Sequence, residues 1–328
     1  MQQPIAVNPA HFFSLTYTGQ RPGTRLIVTG AVHGNETCGT QAIRRVMQEL
    51  DSGALTIAAG SVTFVPTTNA LAYQRGQRMG DRNLNRNLTP TSLPIDYEDH
   101  IANWLCPLLS QHEVLLDLHS FRAGSEAFAM VGPRNNDGPL EPFMHAAQEE
   151  AMVRQLGIRR FVDGWLSTYA IGVARRTQEA QTKGLPLNTL NTDTRYGVGT
   201  TEFMRSCGGY AITLECGQHE DPAAPEVGYQ AIRNTLSLLG LTASPVAPPA
   251  AQIEALSIYE VIDRQHADDH FARTWISFDR LKTGELIGTR HDGTQIFALC
   301  DGFIVFPDAG ALPGHEWFYL ARENHRFA

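Results

Sequence analysis

The sequence has no apolar run close to the roughly 18 residues that a membrane-spanning helix requires. Its start, MQQPIAVNPAHFF, lacks the basic segment followed by an apolar one that directs secretion. Lys and Arg nowhere gather into a block, and 26 basic against 34 acidic residues leave a formal charge of -8. That balance excludes nucleic acid as a partner, because a phosphate backbone calls for clustered cations. Cysteines are few: 5, at positions 38, 106, 207, 216 and 300, odd in number, irregularly spaced and without a C-x-x-C pair. A disulfide framework is therefore not expected, and the reading is of reduced thiols in a cytoplasmic protein. There is no internal repeat. With 42% apolar and 18% charged residues among 328, the chain is an ordinary globular one with room for about two domains at roughly 150 residues each.

What is present is an alternation of two patterns. Short runs rich in Val, Ile and Leu at 26–31, 62–66, 114–118, 127–131 and 210–214 read as strands buried on both faces. Helical periodicity occupies 39–50, 97–111, 140–156 and 225–239. Strand and helix in alternation predict a doubly wound α/β domain with a largely parallel sheet and helices on both faces. The polar stretch 170–199, rich in Thr and Asn, reads as a long surface excursion. At 241–251 the sequence LTASPVAPPAA has three prolines and no charge, which denies it helix and ladder hydrogen bonds. The expected organisation is a large α/β domain over 1–241, a linker over 242–251 and a small all-β domain over 252–328, punctuated by glycines.

His33 and Glu36 form H-x-x-E, a weak signal alone, but here the pair follows a buried strand in a Gly34-containing turn and precedes a helix. His119 ends the strand VLLDLH and Glu215 ends YAITLE. Three strands thus deliver these groups to the carboxyl edge of the sheet, where open α/β sheets bind ligands. Two imidazoles and one carboxylate suit a catalytic Zn²⁺ with its fourth position open, one per chain. Glu36, coupled locally to His33, fits the ligand role, which leaves Glu215 to accept a proton from water. A second cluster, QRMGDRNLNRNL at 77–88, concentrates Arg78, Arg82 and Arg86 with three asparagines and suits bidentate carboxylate recognition; Arg205 is a further candidate fork. His266 and His270 have helical spacing, but Asp268 and Asp269 between them indicate a solvated face. His219-Glu220-Asp221 reads as a loop leading into a first helical turn.

These pieces in this order, HGNE (33–36), NLNR (83–86) with Arg78 ahead of it, DLH (117–119) and LECG (214–217), resemble the succinylglutamate desuccinylase/aspartoacylase family of zinc-carboxypeptidase-like hydrolases. The turn Phe306–Pro307 is similar to one in the family's β domain. The resemblance implies zinc on His33, Glu36 and His119, Glu215 as base and then acid, and Arg78 on the oxyanion. It implies further that Asn85 and Arg86 hold the substrate's α-carboxylate, with Arg205 for a second carboxylate. The expected activity is amide hydrolysis of a small N-acyl amino acid. A carboxypeptidase or peptide amidase is the alternative reading, and an inactive metal- or carboxylate-binding relative a third. Homo-oligomerisation stays open. Two departures are Asn83, where relatives often have Asp, and Phe121-Arg122 after the DLHS segment, which would reshape an acyl pocket.

Overall fold

A computed structural model describes residues 8–122, 126–182, 184 and 192–327. The chain divides into two compact units, the first from Met1–Arg122, Ala127–Phe161 and Val198–Ile253, the second from Ala123–Glu126, Val162–Gly197 and Glu254–Ala328. The Pro-rich stretch 242–251 carries neither helix nor strand.

The first unit begins with β1 (Leu15–Thr18), β2 (Arg21–Gly30), α1 (Cys38–Asp51), β3 (Ala59–Val65), α2 (Ala70–Arg75) and α3 (Tyr97–Leu109). It continues through β4 (Val114–Phe121), β5 (Phe128–Met130) and α4 (Ala146–Gln155), and β6 (Arg160–Asp163) and α5 (Trp165–Thr182) then lead into the second unit. The chain returns with α6 (Thr200–Ser206), β7 (Tyr210–Gln218) and α7 (Ala224–Leu238). Strand order is β1-β3-β2-β4-β7-β5; β3-β2, β2-β4 and β4-β7 pair in parallel, and β1 and β5 add antiparallel edges. The runs expected to be strands are those buried on both faces: every residue of β4 is buried, as parallel strands covered by helices require. Successive side chains alternate between the faces. Ile27, Leu115 and Ala211 meet Ile101 and Leu105 of α3 and Met204 of α6 on one face. On the other, Ala42 of α1, Gly228 of α7 and Leu118 of β4 come together. By the same alternation Asp117 and His119 share the face of Leu115, and Glu215 that of Ala211.

The second unit contains β8 (Glu254–Asp263), β9 (His270–Phe271), β10 (Arg280–Leu281), β11 (Leu286–Thr289), β12 (Gln295–Phe297), β13 (Gly302–Val305) and β14 (Glu316–Glu323). β8, β14, β13 and β10 pair antiparallel in that order, and β12, β11 and β9 make a second small sheet. Trp275, Ile287, Ile304, Trp317 and Phe318 fill its core. Among the described residues of 252–328 every element is a strand, as expected, but 170–199 is not wholly an excursion, because α5, in the same unit, runs to Thr182 and packs on β8. Its buried stripe of Leu166, Tyr169, Gly172, Val173 and Ala180 is built largely of small residues, which hides the helical period. Arg175 and Arg176 reach Glu260 at 2.6 Å and Asp263 at 2.7 Å, so polarity that suggested solvent is spent on β8. Residues 183 and 185–191 of that stretch lie outside the described residues.

Candidate metal centre and active site

The β2–α1 turn, the end of β4 and the end of β7 converge at the carboxyl edge of the parallel strands. His33, Glu36 and His119 are buried there, each offering a ligand atom within 4.8 Å of the others, and they form the one group of this kind among the described residues. Gly34 makes the turn feasible: a Cβ on it would stand 1.9 Å from the carbonyl carbon of Ala72. His119 and Glu215 are direct partners in the β4–β7 ladder, and both project to the α3–α6 face.

Each histidine is oriented by its outer nitrogen. His33 Nε2 donates to Asn83 Oδ1 at 3.1 Å, and His119 Nε2 donates to Asp117 Oδ2 at 2.9 Å. The Nδ1 lone pairs are thereby directed inward, His33 Nδ1 at 2.8 Å from Glu36 Oε1 and His119 Nδ1 at 2.8 Å from Glu36 Oε2. In that tautomer acceptor faces acceptor, which is favourable only with a proton or a cation between them. Two buried atoms at this edge, His33 Nδ1 and Glu215 Oε2, have no hydrogen-bond partner. A buried donor set of two imidazoles and a carboxylate within 4.8 Å of one another, with His33 Nδ1 unpartnered, fits a divalent zinc ion.

Electrostatics follow from burial. Desolvation, with the Arg78 charge, lowers the pKa of His33 to about 4 and keeps its ring neutral. Desolvation opposes ionisation of Glu36, but His33 and His119 overcome it and hold its pKa well below the usual range. His119 is also desolvated, yet Asp117 and Glu36 raise it well above the ordinary value, so a proton and a metal ion compete for the same lone pair. Burial, reinforced by Glu36, pushes Glu215 up to about 8, the range of a group that both takes and returns a proton near neutrality.

Residues 77–88 form a loop held by a carboxylate that sequence reasoning missed. Glu98, fully buried in the first turn of α3, accepts the backbone N–H of Gly80, Asp81 and Arg82 at 2.8, 3.1 and 3.1 Å and the amide of Asn69 at 2.8 Å. Arg82 closes the loop on Asp99 at 2.7 Å and on the carbonyl of Arg86 at 3.0 Å, so it serves the loop and not a ligand. Arg78, 47% exposed, donates to Glu36 Oε1 at 3.0 Å, at the rim of the cluster. Asn85 Oδ1 accepts the Thr200 N–H at 2.9 Å, and Arg86 donates to the Asn85 carbonyl at 2.8 Å. Asn83, in place of Asp, orients His33 through its amide oxygen.

Three expectations need correction. Arg205 is no fork for a substrate carboxylate: its side chain is buried and donates to Glu149 at 2.7 Å, Glu141 at 3.0 Å and the Ala211 carbonyl at 2.9 Å, with Glu202 at 3.5 Å. Phe121 is buried against Phe128, with ring centroids 5.5 Å apart, and so belongs to the core. In the run 266–270, His266, Asp268 and His270 are exposed as a solvated face requires, but Asp269 is buried and accepts the backbone N–H of Gln265 and His266. Asp117, by contrast, was missed although its signal was legible: positions i and i+2 of a strand share a face, so DLH places the carboxylate beside the imidazole. Thr29 and Thr200 hydroxyls donate to the other lone pairs of Asp117.

The succinylglutamate desuccinylase/aspartoacylase catalytic domain matches residues 22–239, and the chain belongs to that family. Among curated relatives, a succinylglutamate desuccinylase of Pseudomonas paraeruginosa is 23% identical over 307 residues, 87% of this chain and 80% of its own. The crystal structure of succinylglutamate desuccinylase from Vibrio cholerae has a TM-score of 0.72 at 18% identity, covering 98% of this chain and 95% of that one. A product-bound ectoine utilization protein from Ruegeria pomeroyi has a TM-score of 0.64 at 16% identity, covering 95% and 88%. No helix among the described residues is long and apolar enough to cross a membrane.

Proposed function

We propose that the protein is a zinc-dependent hydrolase that cleaves the amide bond of a small N-acyl amino acid in the cytoplasm, with one zinc per chain on His33, Glu36 and His119. The observation that carries this reading is the buried convergence of His33, Glu36 and His119, with His33 Nδ1 and Glu215 Oε2 unpartnered and Glu215 registered opposite His119. Zinc, when bound, acidifies a water molecule and polarises a carbonyl. Glu215, buried and otherwise without a partner at Oε2, takes the proton of the attacking water and returns it to the leaving nitrogen, which cannot depart as an amide anion. Arg78, half-exposed at the rim, turns from Glu36 to the oxyanion as charge develops. Arg86 and the amide of Asn85 hold the α-carboxylate and fix the scissile bond relative to Glu215. Membership of a family named for a desuccinylase and an aspartoacylase supports amide hydrolysis of an acylated amino acid. The test is a panel of N-acyl amino acids beside peptides with a free C-terminus, offered to the zinc-loaded protein. Release of a carboxylic acid from an N-acyl amino acid is expected; turnover confined to peptides would replace this reading with the carboxypeptidase one.

A further inference from the structure

His219 lies just past β7, outside the ligand and base set. Its backbone N–H donates to the Phe121 carbonyl at 3.0 Å, and its ring Nδ1 stands 2.8 Å from Ser120 Oγ. On the other side of the ring, the Asn35 amide nitrogen stands 3.4 Å from Nε2. An amide nitrogen only donates, so this arrangement places the ring proton on Nδ1 and makes Ser120 Oγ its acceptor. Ser120 in turn donates its backbone N–H to Glu36 Oε2 at 3.2 Å.

The need for such a grip lies in the ladder. His119 pairs with Glu215 while Phe121 pairs with Gln218, so β7 carries one residue more than β4 at the site. Gly217, at φ 145, lies within this bulge, where a local kink interrupts regular pairing. The strand end that carries His119 and Ser120 thus loses regular pairing on its β7 side beside the metal ligands. His219 restores it with one backbone bond and one side-chain bond, and touches the HGNE turn through Asn35. We infer that His219 is a positioning residue that fixes the Glu36 carboxylate for metal binding by holding Ser120 across the β7 bulge. The inference rests on the zinc reading of the site, but it concerns a residue outside the ligand set.

The test is zinc affinity by competition with a chromophoric chelator, on the full chain, with the unfolding midpoint of the metal-free protein measured beside it. His219→Ala should weaken zinc about 10- to 100-fold, as loss of an outer support for a ligand does. His219→Asn, whose amide can occupy the place of Nδ1 and keep Ser120, should bind within about threefold of the parent, whereas His219→Gln, which imitates Nε2, should behave like the Ala variant. Ser120→Ala should reproduce the loss, with no further loss in the double variant. Equal affinity for the parent and His219→Ala, or for the Asn and Gln variants, overturns the inference. Should the Ala variant not fold, the Asn and Gln pair decides alone. If the parent itself binds no zinc, the proposed function fails first, a distinct result.

Discussion

Two buried clusters of charge lie in the α/β unit, one at the carboxyl edge of the sheet and one around Arg205, and they use burial to opposite ends. Around Arg205 donors and acceptors match: Glu149 accepts from the guanidinium at 2.7 Å and from the backbone N–H of Ala211 at 2.9 Å and Gly132 at 2.7 Å. Burial raises Glu141 there to about 7, much as it raises Glu215 to about 8 at the edge. A perturbed pKa therefore does not separate the two clusters. Satisfaction does, since Glu141 accepts from Arg205 while Glu215 Oε2 and His33 Nδ1 have no partner. A saturated cluster resists a ligand and an unsaturated one requires it.

The comparison breaks most readily at Glu215. Glu215→Gln should keep its zinc and lose turnover by about 10²–10⁴-fold, as removal of a general base does. Glu36→Gln should lose the metal instead; zinc content of the two variants read beside kcat would expose an exchange of their roles. Next comes Arg205→Met, which leaves Glu149 buried without its cation and should cost about 3–5 kcal/mol of stability in urea unfolding. KM of the surviving folded protein should be unchanged, and a rise in KM would return Arg205 to the substrate. Arg86→Ala should raise KM for free α-carboxylates at a cost of roughly 2–3 kcal/mol, while Arg78→Ala should depress kcat. Equal turnover of α-amidated and free substrates would remove Arg86 from its role.

The smallest effect concerns a saturated carboxylate in the second unit. Burial tends to raise the pKa of Asp269, but the N–H groups of Gln265, His291 and His266 and the Arg290 guanidinium outweigh it and hold the group below its usual range. A lowered folded pKa gives stability that is present above the unfolded value near 3.9 and is lost as pH falls through the folded one. Asp269→Asn should therefore cost about 1–3 kcal/mol near neutrality, and the gap to the parent should close in acid. Urea midpoints at both ends of that range check it, and a gap independent of pH would refute the assignment.

Legibility in the sequence followed the same division. The parallel strands announce themselves because burial on both faces admits little but Val, Ile and Leu, and the groups that break those runs, Asp117, His119 and Glu215, stand out. The turn at His33–Glu36 was legible for the same reason, as polar residues directly after a buried strand. α5 escaped because small residues and paired arginines replace the usual apolar stripe. Arg205 misled because a guanidinium looks alike in sequence whether it meets a substrate or three carboxylates. Glu98 and His219 escaped because their partners are backbone groups and residues remote in the chain, which no local spacing encodes.

The pairing of His119 with Glu215 makes the backbone ladder a ruler for the chemistry. The distance between a ligand and the base is set by strand spacing, on the order of 4.8 Å, and not by any loop. Substitutions at Asn85 or Arg86 in the 77–88 loop can then alter the substrate without changing that separation, whereas Asn83 and, after β7, His219 stay tied to the ligands. Length is another matter: removal of a single residue from β7 ahead of Glu215 would turn the carboxylate to the opposite face of the sheet, among the apolar side chains that pack on α1 and α7. For an engineer the molecule divides accordingly into text that tolerates substitution and a scale that tolerates no deletion.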